Sequence, residues 1–141
     1  MNIDTFYLID TDIIIYWLKN KFQSINKKFM EIEEHRLFIS SITVAELYYG
    51  AYNSSKIKEN GELVKELRSE INVVDFDSQA GEHFGKIKAN LKSRGEIIND
   101  SDLFIASIAI SKGYTLVTNN EKHFARIEGL KIENWIAHRL S

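Results

Sequence analysis

Tyr7-Leu8-Ile9-Asp10-Thr11-Asp12-Ile13-Ile14-Ile15-Tyr16 begins as a short apolar run, passes through an acidic turn and becomes apolar again. Tyr7 to Ile9 read as a buried strand, and Thr11 or Asp12 can cap a helix that starts near Ile13. In an open α/β sheet, ligands bind outside the carboxyl ends of the strands, which is where Asp10 falls. Glu46 and the pair Asp100/Asp102 lie in two later segments that can reach the same edge. Separated acids converging on one strand edge outline a site for Mg²⁺, a hard cation that takes oxygen ligands. By itself, Asp10 also reads as a solvated loop acid after a strand.

The remainder of the chain supplies the frame. Its 141 residues suit a single domain over 1–141 with one core. With 44% hydrophobic and 27% charged residues, it has the composition of a soluble globular protein. It has no cysteine, which excludes disulfides and thiolate chemistry and suits a reducing cytoplasm. Neither a signal peptide nor a run of ~20 apolar residues is visible, so no membrane association is expected. The formal net charge of −2 argues against a generic electrostatic nucleic-acid clamp. It argues less against a metal enzyme, whose site is itself acidic. Two basic clusters, Lys86/Lys88/Lys92/Arg94 and Lys19/Lys21/Lys27/Lys28, read first as solvated helix faces.

Hydrophobic spacing predicts helices over 13–18, 22–34, 43–53 and 55–71, then a clearer one whose stripe is Ala80, Phe84, Ile87 and Leu91. That helix ends near Arg94-Gly95, with glycine in a usual terminating place. Leu103 to Ile110 are apolar nearly all round and predict a helix buried against the sheet. Strands are expected at 37–39, 73–74, 116–117 and 130–132. Strands separated by helices predict a three-layer α/β/α sandwich around a short, mainly parallel five-stranded sheet.

Thr43 and Glu46 fit a capping box, so Glu46 has a structural reading beside the chemical one. Acids in the first turn of the 103–110 helix likewise suit its dipole. Asp102 directly precedes the most apolar helix, where a carboxylate is costly unless donors or a cation compensate. Asp100 is either solvated or part of a second metal site. Thr118 and Asn120, after the 116–117 strand, can hold water or orient a carboxylate. His35, His83, His123 and His138 show no zinc-type spacing, and no glycine-rich phosphate loop is present. Asp10-Thr11-Asp12 after a strand also mimics the motif of haloacid-dehalogenase phosphatases, in which Asp10 would be a covalent nucleophile. However, Ile14 stands where that motif expects Thr or Val, and the chain is short for that fold. A non-enzymatic α/β interaction module, its acids only capping helices, is the third reading.

Taken together, residues 7–13, Ser40-Ser41-Ile42-Thr43-Val44-Ala45-Glu46-Leu47-Tyr48-Tyr49-Gly50-Ala51, 102–106 and Leu116-Val117-Thr118-Asn119-Asn120 resemble the PIN-domain ribonucleases. More narrowly, they resemble the VapC toxins of VapBC toxin–antitoxin systems. The likeness extends to 124–130 and Glu133-Asn134-Trp135. It implies a Mg²⁺- or Mn²⁺-dependent endoribonuclease in which Asp10, Glu46 and Asp102 are catalytic and metal-binding acids. Asp100 is a further candidate ligand, and Thr11, Asp12, Thr118 and Asn120 support the site. It also implies a VapB-type antitoxin partner; a homodimer, and a higher-order complex with the antitoxin, are expected besides. In the subgroup sharing the Thr-Asn-Asn stretch and the Asn-Trp ending, the substrate is initiator tRNA, cut in its anticodon stem-loop. Two departures stand out: Asp12 replaces the family's usual Asn, and Asn120 occupies a place where some PIN domains carry a fourth acid. Tyr48, Tyr49, Tyr52 and the Ile57–Leu67 stripe suggest the dimer contact.

Overall fold

The computed structural model describes residues 4–137, so the termini, with His138 among them, lie outside the described residues. The strands are β1 (Tyr7–Ile9), β2 (Leu37–Ser40), β3 (Asn72–Val74), β4 (Thr115–Val117) and β5 (Ile132–Glu133). They pair in the order β3-β2-β1-β4-β5, every pairing parallel. The helices are α1 (Thr11–Leu18), α2 (Gln23–Glu31), α3 (Ser41–Tyr52), α4 (Ile57–Glu70), α5 (Ser78–Ser93), α6 (Asp100–Lys112) and the short α7 (Glu121–Phe124).

Period-two alternation along β1 divides the core. Tyr7 and Ile9 join Ile13, Ile14, Ile25, Leu47, Val64 and Leu67 on the α1–α4 side, whereas Leu8 joins Leu91, Leu103, Ile105 and Phe124 on the α5–α7 side. A central parallel strand covered on both faces has to be apolar throughout, as Tyr7-Leu8-Ile9 is. The α/β/α sandwich with a five-stranded sheet is therefore as expected, and the sheet is wholly rather than mainly parallel.

Several local expectations are corrected. Asp10, neither Thr11 nor Asp12, is the N-cap of α1, its side chain accepting from Thr11 N. Ser40 caps α3 by accepting from Thr43 N, so Thr43 is already inside the helix and Glu46 has no capping box to close. The helix predicted over 22–34 stops at Glu31, and a 3-10 turn over Glu34–Arg36 follows. The chain turns extended at Ile32 (φ −92°, ψ 133°), and Arg36, only 1% exposed, ends the 3-10 turn with its Nε donating to Thr5 O at 2.8 Å and its guanidinium over the Tyr7 ring. The last strand lies at Ile132–Glu133 rather than 130–132, because Leu130 is still in a turn, donating its N–H to Ile127 O. Gly129 allows that turn by adopting φ +82°.

Candidate active site

Strand order reverses at β1: β2 and β3 lie to one side, β4 and β5 to the other. Ligand crevices in such sheets form at this switch point, beyond the strands' carboxyl ends. Asp10 leaves β1 and Thr118 leaves β4 at that place, and the Thr118 hydroxyl donates to Asp10 Oδ2 at 2.8 Å. The other oxygen, Oδ1, accepts from Thr11 N at 2.9 Å. Asp10 is 6% exposed and Thr118 fully buried, so this carboxyl is rigidly aimed.

Asp12 turns its side chain back over the same edge. Oδ1 accepts from Ile13 N at 2.7 Å and Oδ2 from Asn119 N at 3.1 Å. The backbone of the β4–α7 turn thus holds the acid that precedes the buried part of α1. The Asn119 side chain is fixed in turn by Asn134, whose Nδ2 donates to Asn119 Oδ1 at 3.1 Å.

A hydroxyl chain brings α3 to the site. Thr11 Oγ1 lies 2.7 Å from Glu46 Oε1 and 2.9 Å from Thr43 Oγ1, which in turn lies 3.3 Å from Ser40 Oγ. Each hydroxyl has one proton, and the carboxylate can only accept. The order that satisfies all three is Ser40 donating to Thr43, Thr43 to Thr11, and Thr11 to Glu46. Glu46 is exposed, yet it is tethered to α1 by this relay.

Asp102 enters from α6. Asn99 caps that helix by accepting from Asp102 N at 2.9 Å, and its Nδ2 returns a hydrogen bond to Asp102 Oδ2 at 3.0 Å. His123, on α7, brings Nε2 to 3.2 Å from the same oxygen without hydrogen-bond alignment. Asp100 takes a different course, receiving Lys88 Nζ at 2.9 Å. Two positions along a helix separate side chains by about 200°, so Asp100 and Asp102 address opposite sides of α6. The Asn120 backbone N–H donates to Thr118 Oγ1 at 3.0 Å, which steadies the hydroxyl that serves Asp10.

The electrostatics follow from this crowding. Burial, then the charge of Asp12, pushes Asp10 up to about 7 despite the hydrogen bonds from Thr118 and Thr11, and Asp102 adds to the rise. Asp12 and Asp102 are also raised above the ordinary carboxylate range, burial being the chief cause for each. For Asp102 the nearby Glu46 raises and His123 lowers. Asp10 and Asp12 are met by amide and hydroxyl donors, groups that orient a carboxylate without cancelling its charge. An all-oxygen donor set with its negative charge left unrelieved fits a hard divalent cation. The acids are held apart by these bonds: among the described residues no three His, Cys, Asp or Glu side chains close into a ready ligand cluster.

The sequence-predicted acids Asp10, Asp12, Glu46 and Asp102 are thus brought into mutual influence, and Asp100 is paired elsewhere. Sequence reasoning missed Asn99, His123, Asn119 and the Ser40–Thr43 hydroxyls. Asn99 carried a legible signal, since Asn immediately before an acidic helix start is a common N-cap. His123 carried only a weak one, its position in the first turn after the Thr-Asn-Asn edge.

A family model described as PIN domain matches residues 7–130. Ribonuclease VapC2 of Haemophilus influenzae is 38% identical over 130 residues, which cover 92% of this chain and 98% of that protein. The tRNA(fMet)-specific endonuclease VapC of Salmonella typhimurium is 40% identical over 129 residues, 92% of this chain and 97% of that one. The crystal structure of DNA-bound VapBC from Salmonella typhimurium superposes with a TM-score of 0.87 at 39% identity, covering 93% of this chain and 98% of that one.

Proposed function

Because the chain belongs to the PIN-domain family, we propose that it is a VapC-type toxin, an endoribonuclease that depends on Mg²⁺, with Mn²⁺ able to substitute. The carrying observation is the gathering of Asp10, Asp12, Glu46 and Asp102 at the switch point, with Asp10 pushed up to about 7 by burial and like charge. The names of the relatives favour tRNA as the substrate and an antitoxin of the VapB kind as the partner. Family membership removes the phosphatase reading with Asp10 as nucleophile. The ribonuclease names of the relatives also speak against a non-enzymatic interaction module.

Asp10 and Asp102 are the residues that would hold the cation, with Glu46 contributing directly or through water. When bound, the cation supplies neutralisation of the charge that develops on the phosphate oxygens and favours ionisation of the attacking water. Glu46, exposed and fixed on one oxygen by Thr11, keeps its other oxygen free to orient that water and accept its proton. Thr118 and Asn99 each hold one oxygen of Asp10 and Asp102 by a hydrogen bond and so fix where these carboxylates point. Asp10 itself is poorly exposed for nucleophilic attack, both its oxygens being occupied by donors.

Incubation of the purified protein with tRNA tests the reading. Cleavage is expected with Mg²⁺ or Mn²⁺ and not in excess EDTA. Asp102→Asn should lower the rate roughly 100-fold or more, the loss expected when a cation worth several kcal/mol to the transition state is no longer held. Its melting temperature should hardly change, because the substitution removes a repelling charge. Undiminished cleavage in EDTA would sink the metal-dependent mechanism.

A further inference from the structure

The turn after β4 hands one donor to each of two acids, and its two donor residues are held differently. Thr118, which serves Asp10, is fixed by the sheet: its N–H donates to Glu133 O at 3.0 Å, continuing the β4–β5 pairing. Asn119, which serves Asp12, lies past that bond. Its N–H is spent on Asp12 Oδ2, and its side chain accepts from Asn134 Nδ2 at 3.1 Å. The same Nδ2 donates to Glu121 Oε2, also at 3.1 Å, so Asn134 spans the turn from Asn119 to the first residue of α7. That helix does little to fix its own start, having four residues and an N-cap, Asn120, whose side chain makes no capping bond.

Asn134 is itself fixed. Its Oδ1 accepts from Ile136 N at 3.0 Å, forming an Asx turn. A backbone N–H can only donate, so this bond settles which end of the amide faces Asn119. The two residues that follow are anchored in the core on the α1–α4 side. Trp135 is 3% exposed, its ring edge-on to Tyr7 and Phe29 at centroid separations of 5.4 and 5.6 Å, and Ile136 is 7% exposed. The Asn134 amide is thus preorganised, and holding Asn119 costs it little rotamer freedom. The position calls for a donor and not only for a shape: a carboxylate of the same outline would face Asn119 Oδ1 and Glu121 Oε2 with acceptors alone.

We propose that Asn134 is a positioning residue for the cation site, acting through Asn119 to keep Asp12 over the sheet edge. The need arises from charge. Asp12 stands near Asp10 and Asp102, and like charges drive its carboxylate outward. Ile13 N, on Oδ1, belongs to the same helix as Asp12; Asn119 N, on Oδ2, is the donor that ties the carboxylate to the β4 edge. Slackening Asn119 lets Asp12 turn away, and the negative potential that draws a divalent cation weakens with it. Partners one shell removed from a cation govern its affinity in this way without touching it. The inference rests on the cation site of the proposed nuclease, and it adds to that site a residue 15 positions after Asn119, beyond β5.

Calorimetric titration of the whole, metal-stripped chain with Mn²⁺ reads the site without any cleavage. Asn134→Asp keeps the outline and loses the donor, and should weaken Mn²⁺ several-fold, toward the roughly tenfold that losing an outer-shell partner costs. Asn119→Ala keeps the backbone N–H and loses only the acceptor for Asn134, so it should weaken Mn²⁺ to the same degree. Combined with Asp12→Asn, Asn134→Asp should add no further loss, because its route is gone. A residue that only steadies the fold would lower the melting temperature in EDTA and leave the affinity of the folded protein where it was. Unchanged affinity in Asn134→Asp or in Asn119→Ala would overturn the proposal, as would losses that multiply in the double variant. So would an unmodified protein that takes up no Mn²⁺. The nuclease reading is judged apart, by cleavage of tRNA. A protein that shows these affinity losses but never cuts tRNA removes that reading and keeps the positioning role; one that cuts tRNA while Asn134→Asp binds Mn²⁺ as before does the reverse.

Discussion

Asp10 concentrates the energetics of the site in one side chain. A carboxyl raised to about 7, against 3.8 unperturbed, binds more protons in the folded than in the unfolded protein. Stability therefore falls as pH rises from about 4 to about 7 and levels off above it, by on the order of 4 kcal/mol for this group. Asp12 and Asp102, raised as well, act in the same direction. Thermal melting in EDTA should show a falling midpoint between pH 5 and 8, and Asp10→Asn should remove most of the slope. Added Mg²⁺ should stabilise the unmodified protein more at pH 8 than at pH 5, where protons compete for the same oxygens. A flat melting profile for the unmodified protein would contradict this account. Thr118→Val removes the hydroxyl at 2.8 Å from Asp10 Oδ2 and leaves a buried acceptor unmet. It should cost about 1–3 kcal/mol by denaturant unfolding. Asp12→Asn should weaken Mg²⁺ several-fold while cleavage survives at saturating metal. Inactivity at every metal concentration would make Asp12 an essential ligand.

At the scale of elements, α1, α3 and α6 matter through their first turns. Each is capped by a side chain that belongs to the site or touches it: Asp10, Ser40 and Asn99. On the proposed function, the hydrogen bonds that cap these helices also place the site's side chains, so the two roles should not separate cleanly by mutation. Asn99→Ala removes the acceptor for Asp102 N and the donor to Asp102 Oδ2 together. Loss of about 1 kcal/mol of stability is expected from the cap, with a fall in cleavage rate exceeding what partial unfolding explains. Denaturant unfolding and initial rates on one sample decide it. A rate that tracks only the folded fraction would leave Asn99 as a cap and nothing more.

At the scale of the whole molecule, two surfaces are proposed to meet partners. The α3–α4 face exposes Tyr49 (71%), Tyr52 (68%), Ile57 (49%) and Leu63 (50%), while Val64, Leu67 and much of Tyr48 turn inward. Homodimerisation through the exposed set is proposed, and light scattering at micromolar concentration should return twice the chain mass of 16.3 kDa. A monomer mass would refute it. The second surface is the acidic edge itself. An antitoxin arginine can engage two carboxylates at once through its planar fork, displacing the cation. Inhibition should then vanish when the arginines of the antitoxin's carboxyl-terminal segment become alanine, and weaken as salt screens the attraction. Full inhibition by the arginine-free partner at high Mg²⁺ would mean that occlusion elsewhere silences the enzyme.

Much of this protein is determined by local order in the chain. The apolar Tyr7-Leu8-Ile9 run, the strand–helix alternation and the acids following successive strands are enough for the parallel α/β/α sandwich and for the approach of Asp10, Glu46 and Asp102 to one sheet edge. Those signals survive in sequence because burial and periodicity are properties of neighbouring residues. What only the tertiary structure decided depends on residues far apart in the chain. Thr118 reaches Asp10 across 108 positions, and Asn119 N reaches Asp12 across 107. Glu46 changes from a supposed cap to an acceptor for Thr11 because Ser40, one strand end earlier, already closes the helix. Asp100 leaves the acids for Lys88, and His123 joins them, since helix phase and packing set where each side chain points. Sequence spacing fixes which residues can share a face; the closure of the sheet at β1–β4 decides which of them meet.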